Sequence, residues 1–282
     1  MKPNFVGIGA QKCASTWLYD ILATHPQSNL SELKELDFFT RYYDYGYQWY
    51  ERHFPEANAL VVGEISPSYL NSSEAPARVK AYNPDAKLLV SLRQPVDRAI
   101  SNHRHDVRIG LFTGKDMSLE AGLANNPAYI DQGLYAKHLS AWLEHFPREQ
   151  LKVVLLDDIK MDALATARSV YEFLGIDPQH KSELLHVRSN ESYVNRSSLL
   201  EQSKNQVRGA IRKVGLGAVW NGVGNLGLKN LYRKTNRAPS SSVIPKPSQA
   251  LLAELHQAFA ADIDALERLL DRSLQHWKQP PG

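Results

Sequence analysis

The chain has 282 residues, of which 43% are hydrophobic, and a formal net charge of +3. This length suffices for one large hydrophobic core, with or without an appended subdomain, and no apolar run of about 18 residues predicts a transmembrane helix. The single cysteine, Cys13, excludes an internal disulfide. Because the initial MKPN segment lacks the charged and apolar regions of a signal peptide, we expect a cytoplasmic protein.

Short apolar segments alternate with amphipathic segments along the chain, which predicts strands alternating with helices. Such alternation indicates parallel pairing through helical crossovers. We therefore expect an α/β fold, with an open parallel sheet flanked by helices and a C-terminal helix, in a single domain over residues 1–282. The predicted strands are Phe5–Gly9, Leu60–Gly63, Lys87–Leu92 and Leu151–Leu156, and the predicted helices are Ser15–Thr24, Gly46–Phe54, Pro95–Arg108, Leu134–Phe146, Ala163–Leu174 and Gln249 to about Leu274.

The stretch FVGIGAQKCASTWLYDIL has the outline of a phosphate-binding loop between a strand and a helix. Backbone amides at a helix N-terminus bind anions, Lys12 adds a cation, and Ser15 or Thr16 can cap the helix. The sheet is therefore expected to be P-loop-like. The loop departs from the Walker A pattern, because Lys12 lies three residues before Ser15 and Ala14 stands where a glycine is expected. The alternative that remains is a plain strand-to-helix turn with a surface lysine.

A second anion site is predicted where the strand KLLVSL ends in LRQPVDRAISNH. Arg93 lies at the strand terminus and Ser101 in the following helix. Both can bind one phosphate, Arg93 through a forked contact and Ser101 through its hydroxyl. Two such sites at the carboxyl ends of parallel strands favour a ligand with two separated anionic groups.

Asp157 and Asp158 end the strand KVVLLDD and resemble a Walker B element. A P-loop kinase would use one of them to hold magnesium. The alternative is helix capping, which is common for aspartates at strand ends. Both interpretations stay open here, as does a nucleotide-binding regulatory protein that keeps the fold without the chemistry.

Taken together, these motifs resemble sulfotransferases that use 3′-phosphoadenosine 5′-phosphosulfate (PAPS). QKCAST is similar to the family's 5′-phosphosulfate loop, and LRQPVDRAISNH to its 3′-phosphate motif. KELDFFTRYYDYGYQWYERHFP and GEISPSYL resemble the heparan sulfate N- and 3-O-sulfotransferase branch, and GLYAKHLSAWLEHFPREQLKVVLLDDI its bacterial members. The motifs occur in family order from residue 5 to about residue 175.

The resemblance implies in-line transfer of a sulfuryl group from PAPS to an acceptor hydroxyl, or less readily to an amine, without a metal. It gives Glu35 the role of the base that takes the acceptor proton, and Lys12 that of neutralising the leaving phosphate. The implied donor-binding residues are Gln11, Lys12, Cys13, Ala14, Ser15, Thr16, Trp17, Arg93, Ser101 and Arg196. Arg196 would replace the family's C-terminal loop, and Arg233 or Lys234 of LYRKTNR are the alternatives to it.

The chain departs from the saccharide-modifying enzymes at two positions. Ile65 stands where they carry a lysine, and Asp37 where they often have a histidine. Both changes remove positive charge near the expected acceptor, which argues against a highly sulfated glycan. The disulfide of the animal enzymes is also absent, which suits a bacterial protein.

From Gln202 to Ala253 the chain has no Asp or Glu, and a glycine-rich part of this basic segment has no clear periodicity. We interpret residues 204–237 as a lid or loop over a small-molecule, saccharide or lipid-like acceptor. Peripheral membrane contact and a solvated face are the alternatives, and no nucleic-acid partner is expected.

Overall fold

The structure is a computed structural model that describes residues 2–54, 59–186, 193–195, 237–239 and 244–279. Its strands are β1 (Phe5–Gly9), β2 (Ser28–Leu30), β3 (Val61–Ile65), β4 (Lys87–Leu92), β5 (Leu151–Leu155), β6 (Tyr193–Asn195) and β7 (Arg237–Pro239). Its helices are α1 (Ser15–Ala23), α2 (Gly46–Glu51), α3 (Ala75–Tyr82), α4 (Pro95–Arg108), α5 (Leu119–Asn125), α6 (Ala128–Asp131), α7 (Tyr135–Leu143), α8 (Leu156–Met161), α9 (Ala163–Leu174) and α10 (Gln249–Leu270).

Five strands form one sheet in the order β2-β3-β1-β4-β5, and every pair is parallel. The chain leaves β1 toward β2 and β3 and leaves β4 toward β5. The adjacent carboxyl ends of β1 and β4 therefore form a topological switch point, where open α/β sheets bind their ligands. Gly63 is required in β3, because a Cβ atom there would lie 2.2 Å from the Phe5 carbonyl oxygen of β1.

Helices α1 and α9 cover part of this sheet with apolar side chains. Leu18, Ile21 and Leu22 of α1 pack in one buried cluster with Val170 and Leu174 of α9. Burying side chains of this size stabilises the fold by about 1.5–3 kcal/mol each. The carboxyl ends of the strands are thereby held by a packed scaffold.

The chain divides into two compact units. One unit contains residues 1–99, 128–189 and 252–282, and with them the five-stranded sheet. The other contains residues 100–127 and 190–251. In the second unit β6 pairs antiparallel with β7, and Val107 and Ile244 form a small cluster with Phe112 and Met117.

The expected α/β fold is confirmed, including the parallel sheet, the flanking helices and the C-terminal helix. Strands β1 and β4 and helices α4 and α9 have the predicted bounds. Helix α10 ends four residues earlier than predicted, because Asp271 adopts the left-handed region (φ 49°), which ends a helix. The single domain over residues 1–282 stays a prediction.

Within the ranges listed above, none of the helices has both the length and the apolar composition needed to cross a membrane. The expected lid over residues 204–237 lies outside the described residues apart from Arg237, whose backbone belongs to β7.

Candidate functional site

The loop between β1 and α1 has an unusual backbone. Lys12 and Ala14 both adopt the left-handed region, with φ of 67° and 74°. Ala14 is the N-cap of α1, so the expected capping by Ser15 or Thr16 is wrong. An alanine N-cap has no side-chain oxygen that could accept a hydrogen bond, so the backbone amides in the first turn of α1 receive no side-chain cap from Ala14. Such amides bind anions.

The side chains of this loop differ in exposure. Gln11 is exposed, Lys12 is half-buried, and Cys13 and Ser15 are buried. Trp17 is a core residue whose indole N–H donates to the Leu185 carbonyl (3.0 Å), so its donor is already used. Lys12 and Gln11 therefore remain the loop's accessible polar side chains before α1.

Tyr135, at the start of α7, joins the two predicted anion sites. Its hydroxyl lies 3.4 Å from the Cys13 Sγ atom in the loop after β1. The same hydroxyl donates to the Arg93 carbonyl after β4 (2.8 Å). Burial raises the pKa of the Cys13 thiol, so the thiol is neutral and packs the loop rather than acting as a nucleophile. The two turns are thus held side by side at the switch point.

Arg93 keeps donor capacity at this position. Its Nη2 atom forms an ion pair with Asp97 (3.1 Å), and its side chain is 25% exposed. Its Nε atom is buried and has no hydrogen-bond partner among the described residues. A guanidinium with an unused buried donor is suited to an anionic ligand.

Two further residues, Ser101 and Arg196, are expected to bind the 3′-phosphate. Ser101 is half-buried on α4, in the part of that helix that belongs to the second unit. Arg196 lies outside the described residues.

Glu35 lies in the loop after β2 and reaches the first turn of α1 through its neighbour Lys34. The Lys34 Nζ atom donates to the Thr16 hydroxyl (2.6 Å) and lies 3.4 Å from the Glu35 carboxylate. The Glu35 side chain is 49% exposed. A carboxylate that is accessible and adjacent to the α1 N-terminus is placed to accept a proton from a ligand bound there.

The side chains at the two departures from the saccharide enzymes have contacts within the fold. Ile65 is buried in β3. The Asp37 carboxylate accepts from the Ser68 hydroxyl (2.6 Å) and lies 3.8 Å from the Arg41 guanidinium.

An aromatic cluster begins directly after Asp37 in the chain and has a buried part and an exposed part. Phe38, Phe39 and Tyr50 are buried. Tyr42 and Tyr45 are exposed, and their stacked rings lie 5.6 Å apart.

Asp157 and Asp158 open α8, and their carboxylates bind residues near the C-terminus. The Nη1 and Nη2 atoms of Arg272 donate to the Asp158 carboxylate (2.7 and 2.6 Å), and the Trp277 indole N–H donates to the Asp157 carboxylate (2.7 Å). Within the part of the chain that the structure describes, no group of three or more His, Cys, Asp or Glu residues could hold a metal. These contacts argue for a structural role over the kinase interpretation.

Comparisons with known proteins decide the family. A family model described as the sulfotransferase domain matches residues 2–218. The chain belongs to the sulfotransferase domain family.

Among the curated sulfotransferases it is 35% identical over 181 residues to human heparan sulfate glucosamine 3-O-sulfotransferase 3B1, covering 62% of this chain and 46% of the relative. It is 31% identical over 228 residues to human bifunctional heparan sulfate N-deacetylase/N-sulfotransferase 3, covering 73% of this chain and 26% of the relative. The chain thus spans about half the length, or less, of these relatives. The resemblance to the heparan sulfate branch is confirmed.

The fold agrees with a solved sulfotransferase. The crystal structure of a sulfotransferase from Alicyclobacillus acidocaldarius superposes with a TM-score of 0.71 over 99% of this chain and 100% of that one, at 24% identity. This likeness supports the sulfotransferase fold of the parallel sheet.

The sequence did not reveal which residues connect the motifs of the candidate site. Tyr135 lies in the family-like stretch GLYAKHLSAW, but nothing in that stretch shows that its hydroxyl bridges two loops. The Lys34 contact with Thr16 also depends on tertiary structure, since 18 residues separate them.

Proposed function

We propose that this chain transfers a sulfuryl group from PAPS to a hydroxyl, or less readily to an amine, of a saccharide. The observation that carries the proposal is the Tyr135 bridge, which holds the α1 loop and Arg93 side by side at the switch point. PAPS has two anionic ends, a 5′-phosphosulfate and a 3′-phosphate. The α1 loop is assigned to the first end and Arg93 to the second.

The 5′ end would be bound by the backbone amides of residues 11–16, the Thr16 hydroxyl and Lys12. Lys12 neutralises the charge that develops on the leaving phosphate. Arg93 binds the 3′-phosphate through a charge-assisted contact, with Ser101 and Arg196 as further donors. Trp17 and Cys13 contribute backbone groups, because their side chains are buried.

Glu35 is assigned as the base. The acceptor oxygen attacks the sulfur as the bond from sulfur to the phosphate oxygen breaks, and the acceptor proton passes to the Glu35 carboxylate. The products are the sulfated acceptor and 3′-phosphoadenosine 5′-phosphate (PAP). Positioning and charge stabilisation supply most of the rate acceleration.

A saccharide acceptor is supported by the names of the curated relatives, which act on heparan sulfate glucosamine. The exposed rings of Tyr42 and Tyr45 follow the Glu35 loop and offer apolar faces of the kind that stack on sugar rings. Ile65 and Asp37 reduce the positive charge nearby, which favours an acceptor with few sulfate groups. Small-molecule and lipid-like acceptors are the alternatives.

The test is a transfer assay with sulfur-radiolabelled PAPS and heparan sulfate from which the O-sulfates have been removed. We expect label in the polysaccharide with the wild type and a loss of at least about a hundredfold in turnover with Glu35→Gln. The Glu35→Gln variant should bind PAP as the wild type does. Label that appears only in small-molecule or lipid acceptors would contradict the proposal of a saccharide acceptor. Full turnover by Glu35→Gln would contradict the role of Glu35 as the base.

A further inference from the structure

The loop that carries Glu35 is held by a buried carboxyl group on the neighbouring strand. Glu64, near the end of β3, is completely buried. Its Oε2 atom accepts from the Ser66 hydroxyl and its Oε1 atom from the Tyr69 hydroxyl, each at 2.5 Å. One carboxyl therefore fixes the orientation of two hydroxyl groups.

Each of these hydroxyl groups in turn accepts from the backbone of the Glu35 loop. The Asp37 N–H donates to the Ser66 hydroxyl (2.9 Å), and the Phe39 N–H donates to the Tyr69 hydroxyl (3.3 Å). Because both hydroxyl protons point at Glu64, their lone pairs face the loop. These four hydrogen bonds connect Glu64 of β3 to the backbone amides of Asp37 and Phe39, which follow Glu35 by two and four positions. We call them the relay.

The loop needs such support because its backbone is strained. Glu35 and Asp37 adopt the left-handed region, with φ of 62° and 52°. A residue other than glycine is strained in this region, and the conformation persists only when its surroundings hold it there. The relay acts on the backbone directly beyond the strained Glu35.

We propose that Glu64 is a positioning residue for Glu35, acting through Ser66 and Tyr69 to fix the loop in which the Glu35 carboxylate faces the acceptor. This inference rests on the proposed role of Glu35 as the base. Glu64 does not touch the substrate, so its loss acts on turnover through the geometry of Glu35.

The burial of Glu64 agrees with a role beyond packing. The pKa of its carboxyl is raised to about 7. Desolvation by burial is the main cause, which the Ser66 and Tyr69 hydroxyls partly offset and the nearby Asp37 charge reinforces. Keeping an ionisable group at such a place costs stability relative to an apolar residue. That cost is typical of groups that support an active site.

The test compares Tyr69→Phe with Tyr171→Phe. Both tyrosines are completely buried and each hydroxyl donates one hydrogen bond, but the Tyr171 hydroxyl donates to the Ile21 carbonyl in the core, away from the relay. We expect Tyr69→Phe and Glu64→Gln to lower kcat at least about tenfold, with KM for PAPS and the Kd for PAP within about twofold of the wild type, because misplacement of a catalytic group acts on turnover. Tyr171→Phe should change kcat by less than about twofold.

A second measurement does not depend on activity. We expect the Asp37 and Phe39 amides to exchange hydrogen at least about tenfold faster in Glu64→Gln, while amides of β4 keep their protection. Equal kcat for Tyr69→Phe and Tyr171→Phe, or unchanged exchange at Asp37 and Phe39, overturns the inference. If Glu35→Gln retains turnover, the proposed base fails; if Glu35→Gln loses turnover and Glu64→Gln keeps it, the positioning role alone fails.

Discussion

Glu64 makes the stability of this protein depend on pH. Its pKa is raised from an ordinary 4.5 to about 7 by burial. Between these values the folded protein holds the proton and the unfolded chain releases it, so the contribution of Glu64 to the free energy of unfolding falls as the pH rises from about 4.5 to about 7. The difference amounts to about 3 kcal/mol.

We therefore expect Glu64→Gln to remove most of this dependence. Urea unfolding of the wild type and the variant at about pH 5 and about pH 8 measures it. The stability lost by the wild type between the two pH values should exceed that lost by the variant by about 2–3 kcal/mol. Parallel losses in the two proteins would show that Glu64 is ionised in the folded state at both pH values.

Candidate site residues could be predicted from the sequence where they belong to a short motif. Lys12, Glu35 and Arg93 could be named as candidates because each stands beside a strand end or in a family motif. Tyr135 could not be found in this way, because its role depends on a hydroxyl that reaches two loops 42 and 122 residues away in sequence. Sequence spacing carries no information on contacts of that range.

At the scale of elements, the loop before α1 depends on the left-handed conformation of Ala14. Glycine adopts φ near 74° without steric cost, whereas a β-branched residue there is a strong outlier. We expect Ala14→Gly to keep the PAP affinity within about twofold of the wild type, and Ala14→Val to lower stability by about 2 kcal/mol and to weaken PAP binding as well. Thermal unfolding and calorimetry measure both effects, and an Ala14→Val variant with wild-type PAP affinity would contradict the assigned loop geometry.

A second prediction for an element concerns the ion pair between Asp158 of α8 and Arg272, to which we assign no role in catalysis. The bidentate pair of Asp158 and Arg272 is partly exposed, so we expect Asp158→Asn to lower stability by about 1 kcal/mol and leave PAP binding unchanged. Arg272→Gln should have a similar effect. An Asp158→Asn variant that retains its stability but loses a magnesium-dependent activity would instead favour the kinase interpretation.

At the scale of the whole molecule, the strand and helix pattern was sufficient to predict the parallel sheet. Strongly apolar strands such as β1 and β4 were found with correct bounds, while β2 was missed because its three residues include Ser28 and Asn29 and show no apolar pattern. The strand order was beyond the sequence, since it depends on which strands pair. That order places β1 beside β4 and thereby brings together the two turns that are predicted to bind anions.

The central claim is that these two turns form one site for 3′-phosphoadenosine nucleotides that needs no metal. It is tested most directly by calorimetric titration with PAP in the presence of a chelator, compared with ATP and magnesium. The account predicts that PAP binds at least about tenfold more tightly than ATP. The PAP affinity should fall at least about tenfold in Arg93→Ala, the size expected for a charge-assisted contact. It should be unchanged in the control Arg268→Ala, which replaces an exposed arginine in the last turn of α10. Tighter binding of ATP with magnesium than of PAP would contradict it.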